Sequence, residues 1–179
     1  MKKLAVSILV VGLLGGCKST TPPASESDIV KAKIDSLESV LFADSEKPAD
    51  KAAGMDLVKT YAKYYRIAEE KDSLTVDMLF KAGEVSMGIG QGNLAVKYFK
   101  MISDDHKDFY KAPEALFLAG FCEETVNKDT TDARRFYELF INRYPENKLA
   151  EDAKFSIQNM KMSDEELIRM FEEKLKAES

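Results

Sequence analysis

The stretch Ser86-Met87-Gly88-Ile89-Gly90-Gln91-Gly92-Asn93 holds three alternating glycines ahead of a segment with helical spacing. Glycine-rich turns that open a helix can cradle phosphate with their backbone amides. A dinucleotide loop needs G-x-G-x-x-G after a buried strand, and a nucleoside triphosphate loop needs a closing lysine. Here the spacing is G-x-G-x-G, the preceding residues have helical period, and no lysine closes the loop. The spacing therefore favours a turn between two helices. Other candidate chemistry is sparse. His106 is the single histidine, expected on an exposed inter-helix segment, while Cys122 falls on the apolar face of its helix, so the two form no nucleophile–base pair. Glu123-Glu124 and Glu172-Glu173 are adjacent on helices and diverge, and no His, Cys, Asp or Glu spacing fits zinc or calcium. The residues predict no catalytic centre, no metal, no cofactor and no small-molecule substrate.

The elements around these residues repeat. Leu79-Phe80-Lys81-Ala82-Gly83 returns 37 residues later as Leu116-Phe117-Leu118-Ala119-Gly120. Ala95 and Phe99 return 38 later as Ala133 and Tyr137, and Ala112, Glu114, Ala115 and Phe117 return 38 later as Ala150, Asp152, Ala153 and Phe155. The extra residue is expected in the turn Val126–Thr131. Apolar residues recur at i, i+3, i+4 and i+7, and no segment alternates as a strand does, so each unit is a pair of helices and the fold is all-α. A helix is expected to stop before Tyr144-Pro145, and Ser163-Asp164-Glu165-Glu166 has the form of a capping box. Helices are also expected over 28–42 and 49–70.

The N-terminus has a different character. Met1-Lys2-Lys3 precedes an apolar run from Leu4 that ends in Leu14-Gly15-Gly16-Cys17, the anatomy of a secretory signal, and the run is too short to span a bilayer. Loss of residues 1–16 removes Lys2 and Lys3 and takes the net charge from −5 to −7. An acidic chain without a basic run argues against nucleic acid as partner. Residues 17–27 are small, polar and proline-bearing, as a flexible tether is. Were Cys17 engaged elsewhere, Cys122 would be the one thiol left and no intramolecular disulfide could form.

Leu14-Gly15-Gly16-Cys17 resembles a bacterial lipobox, which implies a lipid anchor on Cys17. The helix pairs resemble the tetratricopeptide repeat, a right-handed α-α superhelix of antiparallel helix pairs. Gly83, Ala95 and Phe99 match its pattern, as do Gly120, Ala133, Tyr137 and Pro145; Lys107 and Gln158 stand where proline and glycine are usual. The resemblance implies a degenerate first repeat over 28–72, two repeats over 73–147 and a C-terminal capping repeat over 148–179. It also implies a concave groove lined by Asp77, Phe80, Glu84 and Met87, then Glu114, Phe117, Phe121 and Glu124, then Asp152, Phe155 and Asn159. Such a groove is acidic with a phenylalanine ladder, suited to a segment with apolar anchors and basic flanks, and it would repel a chain-terminal carboxylate.

A lipobox joined to such repeats resembles the BamD-type lipoproteins of outer-membrane β-barrel assembly, in particular their short relatives in Bacteroidetes-like bacteria. That resemblance implies a non-catalytic scaffold, tethered to the membrane by its lipid, that holds a periplasmic or outer-membrane protein. Lys18, in place of the aspartate that retains enteric lipoproteins at the inner membrane, implies an outer-membrane anchor facing the periplasm. The alternative is an envelope adaptor coordinating peptidoglycan or division proteins. An accessory domain of an envelope hydrolase fits less well, because no catalytic segment is present.

Overall fold

The computed structural model describes residues 24–43, 50–160, 162 and 164–177. The leader, Cys17 and the Ser163 capping box lie outside the described residues. Among the described residues eight α-helices follow in chain order: α1 (Glu26–Leu41), α2 (Lys51–Ile67), α3 (Ser73–Gly88), α4 (Gly92–Asp105), α5 (Ala112–Cys122), α6 (Thr130–Arg143), α7 (Ala150–Asn159) and α8 (Asp164–Ala177). Among the described residues there is no strand, and no helix is long and apolar enough to cross a membrane.

Short polar side chains start several helices by accepting from the amides that the first turn leaves without partners. Ser25 and Asp28 close a capping box on α1, Asp50 caps α2, Asp72 caps α3 and Asp129 caps α6. Each helix from α1 to α6 packs on the next in sequence, as in a helical superhelix, so the core is a continuous seam. The seam holds the residues that set the repeat: Leu79 and Ala82 of α3, Ala95 and Phe99 of α4, Leu116 and Ala119 of α5, Ala133 and Tyr137 of α6.

The two repeat glycines sit where helices cross. A Cβ on Gly83 would lie 2.5 Å from Cε1 of Phe99, and one on Gly120 would lie 3.0 Å from Cδ1 of Tyr137. The same register extends upstream. Gly54, Leu57 and Tyr61 of α2 lie 38 residues before Gly92, Ala95 and Phe99, and Leu57 and Tyr61 are buried.

The inserted residue lies earlier than the sequence suggests. Helix α5 ends in a π-helical turn, Glu123–Asn127, followed by Lys128 in the left-handed conformation at φ 60°. Lys128 lies 38 residues after Gly90, which has φ 71°. The turn residue and the start of the following helix thus keep register, and the widened helical turn absorbs the insertion.

Candidate functional site

The groove positions expected on α3, α5 and α7 divide into two sets. The first is consumed by packing. Phe80 is 1% exposed, and its ring meets Phe99 edge-on at 5.6 Å. Lys111 Nζ stands 4.5 Å from the centre of the Phe80 ring and donates to Asp77 Oδ1 at 2.8 Å. Phe80 therefore adds nothing to an open ladder, and Asp77 is neutralised by a lysine from the next unit. Phe117 is half-buried between Tyr137 and Phe140, at 5.4 and 5.6 Å. Met87 packs against the core. Glu124 accepts from Tyr137 Oη at 2.8 Å, and Asn159 is half-buried with its side-chain oxygen enclosed and without a hydrogen-bond partner.

The second set faces outward. Glu84, Glu114 and Asp152 are exposed, with Phe121 at 39% and Phe155 at 37%. Desolvation raises the Glu84 carboxyl above its ordinary value; repulsion from Glu114 and Asp77 adds to this, against the pull of Lys111 and Lys81.

One part of this face was not foreseen. Between the end of α1 and α3 lies a mostly apolar cleft of about 520 Å³, bounded by Leu41, Phe42, Tyr61, Val85 and Ile89 with Glu84 beside them. Glu38 joins the two helices there, accepting from Tyr61 Oη at 2.5 Å and from Lys81 Nζ at 2.9 Å. Desolvation pushes Glu38 upward, but those hydrogen bonds together outweigh it, and its carboxyl ends below the ordinary value. A signal for Glu38 was present in the chain: Tyr61 lies two 38-residue periods before Tyr137, and both tyrosines donate to a glutamate at or near the end of the helix preceding their own. The unaligned linker between α1 and α2 hid the correspondence.

The glycine-rich turn is a packing device. A Cβ on Gly92 would overlap Oδ1 of Asn127, and Val126 lies against the same point. Residues of the next repeat thus cover the start of α4, where a phosphate would have to sit. Asn127 is held there by its own bond to Glu123 Oε2 at 2.7 Å.

His106 corrects an expectation: it is half-buried, not solvent-exposed. Its Nε2 is 2.8 Å from Tyr65 Oη, so it ties the end of α4 to α2. Cys122 Sγ lies 3.6 Å from the Gly92 carbonyl oxygen, and burial pushes its thiol up to about 11. It is a protonated packing residue at neutral pH. Among the described residues no three or more His, Cys, Asp or Glu side chains are placed to hold a metal ion.

No curated protein and no solved structure matches the chain. Residues 114–147, which run through α5, the π-helical turn and α6, match the tetratricopeptide repeat family. The match covers this one helix pair, and the described residues, all helical and packed in sequence order, are consistent with a tetratricopeptide-like helical superhelix.

Proposed function

We propose that the chain is a non-catalytic scaffold, held to the periplasmic face of the outer membrane by a lipid on Cys17, that uses the outward face of α3, α5 and α7 to hold a protein partner. The observation that carries this reading is the composition of that face. After packing has taken Asp77, Phe80, Phe117 and Glu124, what remains exposed is Glu84, Glu114 and Asp152 beside Phe121 and Phe155. Carboxylates around aromatic rings favour a partner segment with apolar anchors and basic flanks. The lipobox and Lys18 support the location, and the resemblance to BamD-type lipoproteins supports outer-membrane protein assembly as the setting.

The test is crosslinking in intact cells, followed by affinity purification and mass spectrometry of the captured proteins. The wild type runs beside a Phe121→Ala, Phe155→Ala variant and a Cys17→Ala variant. Capture of a barrel-assembly subunit that the double variant loses, and that Cys17→Ala loses with its membrane association, is the expected result. Capture of peptidoglycan or division proteins instead would replace assembly with the adaptor role. No specific partner in any arm would end the scaffold reading.

A further inference from the structure

The groove face of α1, α3 and α5 carries a charge count that its internal pairs do not balance. Lys81 is held by Glu38 at 2.9 Å, and Lys111 by Asp77 at 2.8 Å. Glu84 and Glu114 are left over: neither accepts a hydrogen bond among the described residues, and Glu114 raises Glu84 by repulsion. Glu84 does not stand on an open polar surface. It borders a cleft of about 520 Å³, within the range of about 300–1,000 Å³ that ligand-binding clefts occupy.

The base of this cleft is Tyr61 and Ile89, at 1% and 8% exposure, and its rim is Phe42, at 58%. Tyr61 is fixed by its bond to Glu38, so the base is pre-formed and needs no ordering when something binds. An exposed phenylalanine beside an apolar hollow offers area to a large side chain. A carboxylate without a donor offers a site for a cation next to it. The lysines that could have supplied that cation from within are already engaged.

We propose that this cleft takes a bulky apolar side chain of a partner polypeptide whose neighbouring lysine or arginine pairs with Glu84. The inference rests on the scaffold reading above and places the anchor between α1 and α3, away from Phe121 and Phe155. Glu38 belongs to the structural support and Glu84 to the contact. Glu114 adds long-range attraction for a second basic residue.

The test begins with a random dodecapeptide library displayed on phage and selected against the full chain. The expected outcome is enrichment of a large apolar residue within a few positions of lysine or arginine. The best peptide, fluorescein-labelled, is then titrated by anisotropy. Glu84→Gln should weaken it at least about tenfold, as loss of a charge-assisted hydrogen bond does, Phe42→Ala several-fold, and Glu114→Gln less than either. Binding to the wild type should weaken as pH falls and Glu84, raised above the ordinary carboxylate value, takes up a proton, and Glu84→Gln should flatten that profile while unfolding at the wild-type temperature. Enrichment of acidic or uncharged peptides, or equal affinity in all variants, overturns the proposal. So does selection of a sequence like residues 43–49 of this chain together with dimers in sedimentation, which would give the cleft to a second copy. If cellular crosslinking captures a partner equally with wild type and Glu84→Gln, the scaffold stands and this cleft is not its contact.

Discussion

A Cβ added at Gly83 would sit 2.5 Å from the ring of Phe99, which is fully buried and has no room to retreat. Gly83→Ala should therefore lower stability by about 1–3 kcal/mol, the cost of overpacking a filled core. Gly88, at the end of the same helix, meets nothing within 4 Å, so Gly88→Ala should raise stability by about 0.5–1 kcal/mol through helix propensity and a less flexible unfolded chain. Urea melts of the two variants separate a packing glycine from a dispensable one, and similar midpoints would refute the distinction. Titration provides a second test at this scale. Burial, and then the hydrogen bonds and charges of Glu38 and Glu124, raise the Tyr61 and Tyr137 hydroxyls well above their ordinary value. A group whose folded value is raised holds its proton more tightly folded than unfolded. Stability should be level below the unfolded value near pH 10 and fall as pH rises above it. Tyr137→Phe should show a shallower alkaline decline in urea melts between about pH 8 and 11, whereas parallel profiles would remove tyrosine as the cause. Single positions were the least legible level of the sequence. Phe80, Phe117 and Phe155 occupy one register, yet Phe80 is sealed against Phe99 and Phe155 is 37% exposed. What decides the difference is the neighbour each ring meets, and periodicity does not encode neighbours.

Elements were far more legible, because apolar spacing and capping residues act locally and their signals survive in the bare chain. The helices expected over 28–42 and 49–70 form as Glu26–Leu41 and Lys51–Ile67. The change of offset from 37 to 38 located an insertion but could not say that a π-helical turn, Glu123–Asn127, would take it up. That choice depends on a contact between repeats. Widening the turn places Asn127 over Gly92, which the sequence offered as part of a phosphate loop. The same relation occurs one unit earlier, where a Cβ on Gly54 would lie 2.7 Å from Cγ2 of Ile89; both members shift by 38. In the next register Thr130 replaces the glycine and is exposed. If this pairing holds the units together, Gly92→Ala and Asn127→Ala should each cost about 1–2 kcal/mol. The double variant should cost less than their sum by about 1 kcal/mol, because removing Asn127 makes room for the new methyl group. Additive losses in chemical denaturation would mean that the two residues stabilise the chain separately.

Packing between successive helices makes the whole molecule close to one-dimensional. Each of α2 to α6 rests on two neighbours in sequence, with α1 at the start of the series and α6 against α7 toward its end. In such an array the free energy of opening depends on how many interfaces a helix has and how well they are filled, so protection should vary along the chain. Amide hydrogen exchange should be slowest in α3, α4 and α5, whose buried faces include Leu79, Phe99, Ile102 and Leu116. It should quicken toward α1 and α7, each of which buries two residues. Leu116→Ala removes a fully buried side chain from the middle of the seam and should cost about 2–5 kcal/mol. In a one-dimensional array that loss is felt first by the adjoining interfaces. Exchange should accelerate in α4, α5 and α6 well before it changes in α1. Acceleration by the same factor in every helix would instead show one all-or-none unit, in which the cleft between α1 and α3 could not loosen independently of the repeat at 114–147. Graded acceleration would leave that cleft intact when the distal repeat opens, so a partner anchored beside Glu84 would stay bound while α5 to α7 rearranged.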